Sequence, residues 1–129
     1  YITTQDVCIG KRLEDTPGKD GVIECSSKVE NQVFSLFTAY EYLDASLDPL
    51  CVKTSDKNCQ NYNWIAKLDQ NIWTVTADSE TSFEVFQIND YLNSTAAFSP
   101  ANANVVFNVV ENVIYAGGTG TKDDPYLFR

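Results

Sequence analysis

"NIWTVTADSETSFEVFQI", residues 71–88, is the stretch whose reading decides the fold. Ile72, Thr74 and Thr76 alternate with Trp73, Val75 and Ala77; after a polar break, Phe83, Val85 and Gln87 alternate with Glu84, Phe86 and Ile88. β-branched and aromatic side chains at period two, bounded by Asp, Ser and Asn, predict two antiparallel strands. Further on, "NVVFNVV" (104–110) is continuously apolar and reads as a central or doubly covered strand. A short "NVIYA" (112–116) then leads into a glycine-rich terminus.

Upstream, "QVFSLFTAYEYLDASLDP" (32–49) carries the helix signal. Thr38 and Glu41 stand at capping-box spacing, and Phe37 and Tyr42 are placed as a hydrophobic staple. Tyr40, Leu43 and Leu47 recur at helical spacing until Pro49 forbids continuation, so a helix is expected over about residues 39–46. No helical periodicity follows it. "EDTPGKDG" (14–21) is a turn cluster by its Pro-Gly and Asp-Gly steps. The sum is an α+β chain, with one or two short helices in its first half and an antiparallel sheet in its second. At 129 residues it fits a single domain.

Charge narrows the partners. Eighteen acidic residues against 9 basic give a formal net charge of -9, which repels nucleic-acid phosphates and anionic lipid headgroups. No run reaches the roughly 18 apolar residues of a membrane span. The chain opens on Tyr1 without an initiator methionine, and the expectation is that a signal, anchor or leader segment precedes it.

Cys8, Cys25, Cys51 and Cys59 are even in number and show no C-x-x-C spacing. With no histidine in the chain, a zinc site would need all four thiolates at unsuitable spacings. Two disulfides are the better account. Of the three possible pairings we favour the local one, Cys8 to Cys25 and Cys51 to Cys59, because each intervening segment is rich in turn residues. Disulfides point to an oxidising compartment, secreted, cell-surface or periplasmic, and the expectation is extracellular or cell surface.

The missing histidine excludes Ser-His-Asp and Cys-His catalysis. Carboxylate pairs exist at Asp123 and Asp124, at Glu41 and Asp44, and at Asp15 and Asp20. None sits in an evident apolar pocket, so a carboxylate-dependent hydrolase is a remote alternative and the chain is expected not to be an enzyme. The terminal "AGGTGTKDDPYLFR" (116–129) lacks the order of a phosphate loop and of a calcium-binding hand, and neither a metal nor a cofactor is expected. It reads as a structural clasp. Gly118 and Gly120 permit positive φ, Thr121 and Asp124 set the turn, and Pro125 holds its predecessor extended. Tyr126, Leu127 and Phe128 then return as an apolar anchor to the domain.

For ligand recognition the candidates are Tyr62 and Trp64 in "NYNW" (61–64), where flanking amides are positioned to bond hydroxyls, together with Asn89 and Asn93. "NST" (93–95) also matches a glycosylation acceptor, a weak signal.

"VFSLFTAYEYLDASLD", "NWIAKLDQNIWTVTADSETSFEVFQINDYLNS" and "VVFNVVENVIYAGGTGTKDDPY" together resemble the C-terminal domain of prepilin-like surface proteins of gut Firmicutes and Mollicutes-related bacteria. The most specific element is the ending, where Gly118, Gly120, Thr121, Pro125 and Tyr126 stand at the family's spacing. The helix and tryptophan strand are also similar to the C-type-lectin-like fold of formylglycine-generating-type domains, whose catalytic cysteine setting is missing here. The resemblance implies a subunit or head domain of a bacterial extracellular appendage that self-associates or meets other surface subunits. The alternative is a lectin-like adhesin that binds glycan or protein.

Overall fold

The computed structural model describes residues 2–9, 27–78 and 83–129. Its organising unit is one helix laid on one three-stranded antiparallel sheet. Helix α1 (Ala39–Asp44) begins as its sequence dictates: the Thr38 side chain accepts from the Glu41 amide, and the Glu41 carboxylate accepts from the Thr38 amide. It is two residues shorter than expected, because the Ser46 amide bonds back to Leu43 and tightens the last turn. Two single-turn 3₁₀ segments, Lys57–Gln60 and Ala66–Leu68, follow it. They are too short to leave a periodic signature in sequence.

Strands β5 (Ile72–Ala77) and β6 (Glu84–Ile88) are the expected antiparallel pair, and β7 (Leu92–Ala96), which the sequence pattern did not mark, completes the sheet in the order β5-β6-β7. The buried face of β5 is Ile72, Thr74 and Thr76, whereas Trp73, Val75 and Ala77 are half-buried. Two threonines point inward because each satisfies a backbone group that would otherwise be orphaned. Thr76 Oγ1 accepts from the Ala39 amide at 2.9 Å, one of the free donors at the start of α1. Thr74 donates to the Phe86 carbonyl at 2.7 Å, inside the stretch where the β5–β6 register slips between Trp73 and Ala77. Thus a register slip in the sheet and the start of the helix are stitched by alternate residues on one face of one strand.

The remaining pairs are small ribbons. β1 (Ile2–Thr3) pairs with β9 (Asn108–Val109), and β2 (Gln5–Cys8) with β3 (Lys28–Gln32). β4 (Ser35–Leu36) pairs with β8 (Val105–Val106), and β10 (Tyr115–Gly117) with β11 (Leu127–Phe128). On the β2–β3 ribbon, Lys28 bonds the Asp6 carboxylate at 2.7 Å; this bond holds Asp6 below, and Lys28 above, its ordinary pKa.

"NVVFNVV" is therefore not a central strand. It divides into β8 and β9, each two residues long and each paired to a different partner, with Val105, Phe107 and Val109 exposed. Continuous apolar character predicted burial on both faces, but no strand of matching length lies beside it among the described residues.

The core is built from residues 37–92: Phe37, Tyr42 and Leu43 around the helix, Ile72, Phe86, Ile88 and Leu92 from the sheet, and Ile65 beneath them. The Cys51–Cys59 disulfide belongs to this cluster, with both residues buried. The loop it closes is also ordered from within, since the Asp56 carboxylate accepts the Val52 and Lys53 amides at 2.9 Å each. Of the two expected bridges, this one is present. Cys25 lies outside the described residues, and the Cys8–Cys25 pairing with it.

Tyr42 is fully buried, and its hydroxyl donates to the Asp90 carbonyl at 2.9 Å. Burial, and then the charge of Asp90, push its pKa well above the ordinary value of 10. Below that value the phenol is neutral in folded and unfolded chains alike, and its stabilising contribution is whole. As pH rises further, the unfolded chain loses the proton first, and stability is lost. In urea titrations the midpoint of the wild-type chain is expected to fall with rising pH from about pH 10. Tyr42→Phe, weaker at neutral pH by about 1 kcal/mol for the lost hydrogen bond, should show a shallower alkaline decline.

Candidate functional site

Residues 61–64 turn a composition into a geometry. Asn63 is fully buried, and its amide nitrogen donates to the Tyr42 carbonyl at 2.7 Å and the Cys59 carbonyl at 2.8 Å. Its Oδ1 accepts the amides of Ile65 at 3.0 Å and Ala66 at 3.4 Å. Both donors and both acceptor positions are thereby used. Asn61 is likewise engaged, its amide on the buried Asp48 carboxylate at 2.7 Å and its carbonyl on Ser46 at 2.9 Å. The amides expected to meet ligand hydroxyls are instead structural.

With Asn63 turned inward, its neighbours turn out. Tyr62 is 74% exposed and sits at φ 52, a left-handed conformation uncommon for a non-glycine residue. Trp64 is 59% exposed, with its ring set edge-on to Phe37 at 6.0 Å between centroids. Two neighbouring aromatic side chains are thus presented to solvent from a loop whose centre is anchored in the core.

Asn89 and Asn93 meet each other at the β6–β7 turn. Asn93 donates to Asn89 Oδ1 at 2.8 Å and to the Tyr91 carbonyl at 3.3 Å; Asn89 Oδ1 also accepts the Tyr91 amide at 3.3 Å. The glycosylation-type asparagine is therefore tied into the turn. Lys57 lies over the Tyr91 ring at 5.9 Å from its centroid. Asn89 also lines an open cleft of about 350 Å³ with Asp69, Gln70, Asn71 and Asp90. One wall is the turn after the second 3₁₀ segment, where Asp69 adopts φ 50, and the other is the β6–β7 turn. Sequence reasoning found Asn89 but missed its four companions. Each belongs to an ordinary turn, and only the fold brings the two turns together.

Two carboxylates and three amides make this cleft rich in acceptors. Such a surface suits a hydroxyl-bearing or cationic ligand and disfavours an anion. No group of three or more His, Cys, Asp or Glu side chains placed to hold a metal ion occurs among the described residues. Glu41 spends its carboxylate on the capping box, and Asp15 and Asp20 lie outside the described residues.

The terminal clasp has the expected turn chemistry but centres on an unexpected atom. The Asp124 carbonyl accepts the amides of Thr119, Gly120 and Thr121 at 3.0, 3.0 and 3.2 Å, and the Asp124 amide meets the Thr121 hydroxyl at 3.1 Å. Gly118 sits at φ 94, and a Cβ there would stand 2.0 Å from the Pro125 carbonyl oxygen. At Gly120 the same atom would meet the Tyr126 ring. The expected apolar anchor is corrected: Tyr126 and Phe128 pack edge-on around Tyr115, at 6.1 and 6.4 Å, and these residues and Leu127 stay outside the buried core.

Compared with known proteins, the chain matches no family model, no curated sequence and no solved structure. Replacing Asn63 by Ala leaves carbonyls of Tyr42 and Cys59 and amides of Ile65 and Ala66 without partners. Unsatisfied buried groups cost about 1–3 kcal/mol each, so Asn63→Ala should lower the unfolding free energy in urea by about 3 kcal/mol or more. Tyr62→Ala, which removes only an exposed ring, should stay within about 1 kcal/mol of wild type.

Proposed function

We propose that this chain is an extracellular assembly domain, a structural subunit or head of a bacterial surface appendage that self-associates. The observation that carries the reading is where large apolar side chains remain in water. The core closes around the helix and the three-stranded sheet, yet Ile2 and Leu127 on the peripheral ribbons, and Phe34, Phe107 and Ile114 directly beside their strands, stay exposed. Apolar surface kept on and beside short, accessible strands suits contact with neighbouring subunits. The core disulfide suits an oxidising compartment. Among the described residues no helix is long and apolar enough to cross a membrane. The resemblance to prepilin-like domains adds the kind of assembly. Native polypeptide released from its source by shear and examined by electron microscopy and immunogold labelling is expected in cell-surface assemblies of high mass. Recovery solely as free monomer, from medium or cytosol, would overturn the reading.

A second reading, a lectin-like binding module, is favoured by the polar cleft and by the outward pair Tyr62 and Trp64. Planar amides and carboxylates bond sugar hydroxyls, and exposed rings stack on the apolar faces of sugars. On a glycan array the wild-type domain should then bind a saccharide at least about tenfold more tightly than a folded Trp64→Ala variant, about 1.4 kcal/mol. No binding, or binding unchanged by that substitution, removes Trp64 from the reading.

A further inference from the structure

We propose that the uncharged apolar surface running along residues 105–109 is the interface for a second copy of this chain. The proposal rests on the self-association in the reading above and names the face that carries it. Between Asp90 and Glu111 the sequence holds no charged residue, and between Glu30 and Glu41 it again holds none. The fold brings these two stretches together. Ser35 and Leu36 pair with Val106 and Val105, and the Phe34 and Phe107 rings meet edge to face at 6.3 Å. At the far end of the segment, Ile2 pairs with Val109 on the β1–β9 ribbon.

In extended chain alternate residues share a side. Val106 packs against the core, which leaves Val105, Phe107 and Val109 to solvent. Val105 is 60% exposed, Phe107 43% and Phe34 57%, although all three are large and apolar. The Phe34–Phe107 pair is already assembled, so an arriving partner orders few additional rotamers there.

Charge selects the occupant. A cationic partner is drawn to the acid-bearing surfaces of a chain with a net charge of -9, not to a face without charge. Two copies of this chain repel one another over most of their surfaces. An uncharged apolar face is where they can approach without burying carboxylate against carboxylate. Association through it should strengthen as salt rises, since salt screens the repulsion and leaves apolar contact intact.

Sedimentation velocity across a concentration series from roughly micromolar to millimolar, at low and high salt, tests this. The expected result is reversible association of the wild-type chain that tightens with salt. Phe107→Asp should weaken it at least about tenfold, whereas Leu47→Asp, at an exposed apolar residue outside the surface, should leave it unchanged. Circular dichroism checks folding, and Val105→Asp serves if Phe107→Asp fails to fold. Association that survives both substitutions overturns this interface while leaving self-association standing. A wild-type chain that stays monomeric throughout overturns both.

Discussion

The fold turns on one buried amide. Asn63 is where the end of the helix, the disulfide loop and the second 3₁₀ turn meet, and its one side chain bonds backbone groups of all three. A helix of six residues exposes carbonyls at its end that no further turn reaches. The Tyr42 carbonyl finds the Asn63 amide; the same amide reaches Cys59, and its oxygen starts the turn at Ile65. An apolar residue of the same size would fill the space and leave four backbone groups in a dry interior. The constraint propagates outward. With Asn63 fixed inward, Tyr62 and Trp64 face water, and the Ser46–Asp48–Asn61 network closes beside it.

A similar economy explains the sheet. Thr74 and Thr76 occupy positions where valine would be expected on propensity, because hydroxyls are needed at a bulge and at a helix start. The interior of this small domain is accordingly mixed, with Ser46, Asp48, Asn63, Thr74, Thr76 and Gln87 buried among its apolar residues. Many large apolar side chains remain outside, some of them on and beside ribbons that contribute little to the core. That division underlies the functional reading: residues that do not hold the fold together are free to hold it to something else.

Much of the frame was legible in the sequence. Thr38 and Glu41 announce the helix start through local spacing alone, and the alternations of 72–77 and 83–88 announce their strands, the second beginning one residue later than its pattern. Gly118 and Gly120 announce a turn that only glycine fits. What escaped reading depends on which distant segments meet. Alternation defines two faces of β5 without saying which is inward, so the buried threonines were not foreseen. "NVVFNVV" looked central because hydropathy counts side chains, not the length of available partner strands. In "NYNW" the two asparagines are indistinguishable by type, and burial sends one to the core and the other to its rim. The cleft needed Asp69–Asn71 and Asn89–Asp90 to be neighbours, which no local pattern encodes.

The terminal ribbons also give the domain a graded response to mechanical load. Tension drawn through Arg129 acts first on the β10–β11 pairing, whose hydrogen bonds open one after another from the Ile114–Arg129 end, as a zipper does. Because that hairpin adds nothing to the central cluster, it can lengthen and re-form while the helix, the sheet and the Cys51–Cys59 bridge stay assembled. For a domain that serves in an assembly under shear, as proposed, such a ribbon yields extension before the compact centre bears the strain.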